Sequence, residues 1–186
     1  MITFIFKDKR YMVFSADAFG VSASHSKMLE DPKNYPYIPL KHEGIKICAN
    51  RRSLALLYLR DILNDMSEIS FDTLRDEAWP RLKEKLSVIG QLPKGGKLLE
   101  ELFIVLKDQI YDISTSGAIV GVSSNYVYTA SGIDKGAIGY INKHINDDVI
   151  SITSGIDSLI SDKNEIRRPP YFIVDLDNDS IERICL

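Results

Sequence analysis

The 186 residues are 45% hydrophobic and 26% charged, a balance that excludes a disordered chain and is long enough to bury about two thirds of its unfolded surface in one core. A formal net charge of −3 excludes a nucleic-acid surface, which needs clustered Lys and Arg against phosphate, and leaves acidic or neutral partners open. Cys48 and Cys185 fit neither a disulfide framework nor a metal-ligand spacing, as suits a reducing cytoplasm. The opening apolar stretch is six residues long and no later run reaches membrane length, so the expectation is one cytoplasmic domain over residues 1–186 with no membrane contact.

Taken in order, Ile2 to Phe6 and Tyr11 to Ala16 are rich in aromatic and β-branched residues, and Lys7-Asp8-Lys9-Arg10 between them reads as the turn of a buried hairpin. A small-residue loop, Gly20 to Ser26, leads to a second predicted hairpin. It runs from Tyr37 to Lys41, turns at Glu43-Gly44 and returns from Ile45 to Ala49, with Pro39 favouring an edge. From Leu54 to Met66 the period changes to that of a helix with a polar stripe at Arg60, Asp61, Asn64 and Asp65 and apolar residues over the rest of its circumference. A second helix starts at the N-cap Ser70 and carries Phe71, Leu74, Ala78, Leu82, Leu86 and Ile89 on one face. Pro80 is expected to kink it, and Gly90 to end it.

After the loop Gln91 to Gly96, strands are predicted at Leu102–Leu106, Gln109–Ser114 and Ala118–Val122, with Tyr126 to Thr129 continuing or repeating the last. Helices follow from about Gly136 to His144 and Asp148 to Ser161, the second with Val149, Ile152, Ile156 and Leu159 on one face. Arg167-Arg168-Pro169-Pro170 must interrupt any helix. A closing hairpin joins Tyr171–Leu176 to a strand through Ile184. The short strand connections imply antiparallel pairing, and two apolar sheets with two helix pairs imply an α+β fold, a four-layer αββα sandwich of two mainly antiparallel sheets.

This order, with its local text, resembles the proteasome β-subunit branch of the N-terminal-nucleophile (Ntn) hydrolases and the peptidase subunit of the bacterial two-component ATP-dependent protease, over nearly the full chain. Thr3 to Asp17, ending Ser15-Ala16-Asp17, looks like the family's first hairpin. Ile45 to Asn50 followed by Leu54 to Leu63 is similar to its strand, small-residue turn and long helix. Leu102–Leu106, Ile110–Ile113, Ser116-Gly117 and Tyr128-Thr-Ala-Ser-Gly132 leading into Ala137-Ile-Gly-Tyr140 match its three strands, Ser/Gly turn and Gly-bearing helix.

Members of that family use the side chain of residue 1 as nucleophile and its free α-amine as base. An ungapped alignment ending on Asp17 puts Met1 in that place, and a thioether has no proton to lose. Thr3 is the nearest hydroxyl and becomes terminal only if Met1 and Ile2 are removed. The family's lysine aligns with Tyr35 or Pro36, two or three residues from Lys33. Ser131 is close to the position of its accessory serine, and Asp162 to that of its accessory acid.

Each residue also has a plainer reading. Asp17 is equally a strand-end acid, Thr3 an ordinary β-branched strand residue, Lys33 a solvated loop lysine and Ser131 a turn residue. Gly90 to Leu98 fails as a phosphate loop, having one residue too many before Lys97 and Leu98 where magnesium needs a hydroxyl. Asp175, Asp177 and Asp179 fail as a calcium loop, because Ser180 stands where glycine belongs. His25, His42 and His144 share no ligand spacing, so neither metal nor cofactor is expected.

The expectation is therefore a proteasome-β-like protein without the usual nucleophile, acting through self-assembly or binding of a protein or peptide. The resemblance implies a homo-oligomer, a ring among the options, with Leu54 to Met66 as a contact face. Two alternatives stand beside it: an amide hydrolase using Thr3 after processing, and a non-enzymatic adaptor or inhibitor-like protein.

Overall fold

A computed structural model of the chain describes residues 2–6, 11–15, 35–49, 53–92, 95–98, 100–106, 109–122, 126–130, 135–144, 146–161 and 171–184. The chain divides into two compact units, Lys27–Ser123 and the discontinuous Met1–Ser26 with Ser124–Leu186.

The unit Lys27–Ser123 holds a five-stranded sheet in the order β3 (Tyr37–Pro39), β4 (Ile45–Ala49), β5 (Leu102–Leu106), β6 (Gln109–Ile113), β7 (Ile119–Gly121), antiparallel throughout. Pro39 lies on the edge strand, where its missing N–H breaks no ladder. One sheet face, with Ile45, Ile47, Ala49, Leu102, Ile104 and Ile113, packs into a single cluster with helix α1 (Leu54–Asp65) and the following helix. The opposite face carries Lys46, Cys48, Phe103, Val105 and Ile110, also buried.

Helix α1 starts at Ser53, whose Oγ accepts the Leu56 N–H, and buries Ala55, Leu56, Leu59, Ile62 and Leu63. Its cover is less complete than the sequence implies. Leu54 is 47% exposed because, seven and eleven residues before Asp61 and Asp65, it shares their outward face. The β3–β4 turn is tied to the end of α1: His42 Nε2 donates to the Leu63 carbonyl at 3.1 Å and the Lys41 N–H to Asn64 Oδ1 at 2.9 Å. These bonds occupy acceptors at a helix terminus. His42→Ala is expected to lower stability by about 1 kcal/mol, read as a drop in denaturant midpoint at unchanged m-value.

The second helix begins with a capping box in which Ser70 and Thr73 exchange side-chain and backbone bonds. It is α-helical over Phe71–Thr73 (α2), π-helical over Leu74–Ala78 and α-helical again over Trp79–Val88 (α3). Pro80 does not break it. The wider turn, with the Trp79 N–H bonded to the Leu74 carbonyl, sits directly ahead of the proline and takes up the extra room it needs. Leu74, Ala78, Leu82 and Leu86 form the buried line, and Gly90, at φ +67°, closes the helix with Gly90 N–H to Ser87 O and Gln91 N–H to Leu86 O.

In the other unit the sheet order is β10 (Ser180–Ile184), β9 (Tyr171–Asp175), β2 (Tyr11–Ser15), β1 (Ile2–Phe6), β8 (Tyr126–Ala130), again all antiparallel. Met12, Val13, Phe14 and Tyr171 to Val174 are buried, and the Phe14 and Phe172 rings stack at 5.1 Å. Tyr126 to Thr129 does not extend β7, as one sequence reading had it. It pairs with β1 in this second sheet, a choice of partner that a short aromatic segment does not encode.

Helices α4 (Lys135–Lys143) and α5 (Val149–Ser161) pack where Gly155 admits Tyr140: a Cβ at Gly155 would overlap the phenol. Asp148 caps α5 by accepting the Ile150 and Ser151 N–H groups and the Ser151 hydroxyl. These bonds hold its carboxyl below the usual range. Ile152 is buried, whereas the side chains of Ile156 and Leu159 lie outside the described residues. In the β9–β10 turn the Asp175 carboxylate accepts from the Asp177 and Asn178 amides, the use of a turn acid.

Candidate active site

The antiparallel registers place the start of β1 and the ends of β2 and β8 at one end of the second sheet. Ile2 faces Ala130 on β8, Thr3 faces Phe14 on β2 and Thr129 on β8, and Ser15 at the end of β2 faces Tyr171.

Of the predicted site residues, Thr3 is in the described backbone, in a strand paired on both sides. Met1, Asp17, Lys33, Ser131 and Asp162 lie outside the described residues. The nearest described neighbours of Asp17, Ser131 and Asp162 are Ser15 at the end of β2, Ala130 at the end of β8 and Ser161 at the end of α5; those of Met1 and Lys33 are Ile2 and Tyr35. Tyr35, which with Pro36 is one of the two positions on which the family's lysine aligns, is 7% exposed. Removing Met1 and Ile2 would delete the Ile2–Ala130 pair and move the chain's amine to Thr3, two residues or about 7 Å along the strand.

Elsewhere the described titratable groups are mostly in structural use. Burial pushes the Cys48 thiol up, the reverse of what a nucleophile needs. His144 Nδ1 lies 2.7 Å from Asp147 Oδ2 with its ring stacked on Tyr140, and His25 lies outside the described residues. Among the described residues no three His, Cys, Asp or Glu side chains are arranged to hold a metal, and no helix is long and apolar enough to cross a membrane.

One group escaped the sequence reading. Asp112 in β6 is half-buried, its Oδ1 has no hydrogen-bond partner among the described residues, and burial together with the nearby Glu101 charge pushes its carboxyl up to about 6. In sequence it is only the lone acid of the strand Gln109-Ile-Tyr-Asp-Ile113, which marks nothing until its burial is known.

No protein-family profile and no curated protein matches the sequence. Solved structures do match in shape. BPH of Thiobacillus denitrificans, in complex with epoxomicin, aligns with a TM-score of 0.60 at 14% identity over 95% of this chain and 99% of that one. A Gly-1 mutant of Anbu from Hyphomicrobium sp. strain MC1 aligns with 0.59 at 10% identity over 98% and 86%, and eukaryotic HslV from Trypanosoma brucei with 0.54 at 12% over 94% and 99%. At such identities the likeness is one of fold, and with two antiparallel sheets and two helix pairs in this order the chain has the α+β fold of the proteasome-β-like Ntn hydrolases.

Proposed function

We propose that the chain is a catalytically degenerate proteasome-β-like protein, one domain over residues 1–186, that works in the cytoplasm as a homo-oligomer or by binding a protein or peptide. The observation that carries this reading is the first hairpin. Thr3, Phe4 and Ile5 pair with Phe14, Val13 and Met12 in unbroken register, with no bulge among these pairs to hold an inserted residue, which supports reading Met1 in the nucleophile's place. A methionine there supplies no proton-bearing nucleophile. Asp17, Lys33, Ser131 and Asp162 would then be remnants of a site, free to orient an amine or a ligand.

The test pairs two masses. Intact mass of the protein from its native host is expected to include Met1, or at least to exclude a chain starting at Thr3. Solution mass at micromolar concentration is expected to exceed one protomer. Epoxomicin, which BPH of T. denitrificans binds, is expected to add no mass, and short fluorogenic peptides to show no turnover above a Thr3→Ala control. A chain beginning at Thr3 with turnover abolished by Thr3→Ala would replace this reading with the hydrolase. A strict monomer that captures one protein partner would favour the adaptor.

A further inference from the structure

Asp112 is the fourth of the five residues of β6, facing Phe103 on β5 and Val120 on β7. Among the described residues its Oδ1 is the buried side-chain oxygen that lacks a hydrogen-bond donor. Glu101, two residues before Phe103, falls by strand alternation on the same face, and its charge acts on Asp112. The residues directly opposite bring no charge, Phe103 on one side and Val120 on the other; Lys46, paired with Val105 two strands away, is a cation on the same face, and it donates no hydrogen bond to Asp112 Oδ1. Ionised Asp112 thus combines incomplete solvation with repulsion from Glu101, and protonation relieves both.

The strand beyond it is one of the two short edge strands of this sheet. β7 has three residues, pairs with β6 alone, and leaves Val120 58% exposed. Outside the ladder it is tied by the Val122 N–H to Ile110 O and the Ser114 N–H to Ala118 O. We propose that the Asp112–Glu101 carboxylate pair is an acid-sensed latch on β7, firm when Asp112 carries a proton and loosened when both groups are charged. The direction follows from linkage. The folded carboxyl is raised above its unfolded value, so the native ribbon holds a proton that the unfolded chain releases. Its stability is full at acid pH and is lost as pH rises through about 6.

Hydrogen exchange of the full chain, corrected for intrinsic rates across about pH 5 to 8, tests this. Protection over residues 109–122 is expected to fall about tenfold from acid to alkaline ends while that of α1 holds. Asp112→Asn should flatten the profile, and Glu101→Gln should keep its direction and move its midpoint down. A flat wild-type profile, or one that survives Asp112→Asn, overturns the proposal. Should Asp112→Asn fail to fold, NMR titration of the Asp112 carboxyl in the wild type decides, a midpoint near 4 being fatal to it and one near 6 supporting it.

Discussion

Gly117→Ala is expected to destabilise the protein by about 3 kcal/mol, a large effect for one added methyl. Two costs combine. Gly117 sits at φ +87°, where a Cβ meets its own backbone, at about 1–2 kcal/mol. The same Cβ would also overlap the Trp79 indole, whose ring lies over the Ser114–Gly117 turn. Neither neighbour yields easily: Gly117 N–H is bonded to Ser114 O, and Trp79 opens α3 directly behind the π turn. A double-mutant cycle separates the two costs. In a Trp79→Leu background the overlap is gone and the alanine penalty should shrink to the backbone part, about 1–2 kcal/mol. A full penalty in both backgrounds would show that the indole is not what the glycine accommodates.

How much of this was legible in the sequence depends on whether the signal was local. The Ser70 cap, the Gly90 stop and the Gly44 turn are decided by backbone chemistry within a few residues, and each was readable there. The hairpins β1–β2, β3–β4, β5–β6 and β9–β10 were readable for the same reason, since a short turn fixes the partner. The partner of β8 was not, because pairing with β1 spans more than a hundred residues and no local pattern distinguishes it from a continuation of β7. Pro80 announced a defect but not its form; a π turn and a kink answer the same steric demand. Asp112 was passed over because one acid in a strand carries no information until its burial is known. The site residues rested on the likeness alone, and apart from Thr3 the structure describes the strand and helix ends leading to them.

The second large effect concerns whether the two compact units are one cooperative domain, as proposed. Phe172→Ala removes a ring that is 1% exposed and stacked at 5.1 Å on Phe14 in the unit built from both ends of the chain. Leu59→Ala opens a cavity in the unit Lys27–Ser123, at a side chain also 1% exposed. Costs of about 3–5 and about 2–5 kcal/mol are expected. The sheet β10-β9-β2-β1-β8 has the N-terminal hairpin at its middle, between β9 and β8, so neither end of the chain can complete it without the other. The 97 residues of the unit Lys27–Ser123 span that gap in sequence, and closing a loop of that length costs less when the loop is itself folded. Folding of one unit is then expected to be linked to folding of the other. Calorimetry should show one transition in the wild type, lowered by either substitution, with calorimetric and van't Hoff enthalpies equal. A Phe172→Ala protein that loses the sheet β10-β9-β2-β1-β8 while residues 54–65 keep wild-type exchange protection would instead make the units independent.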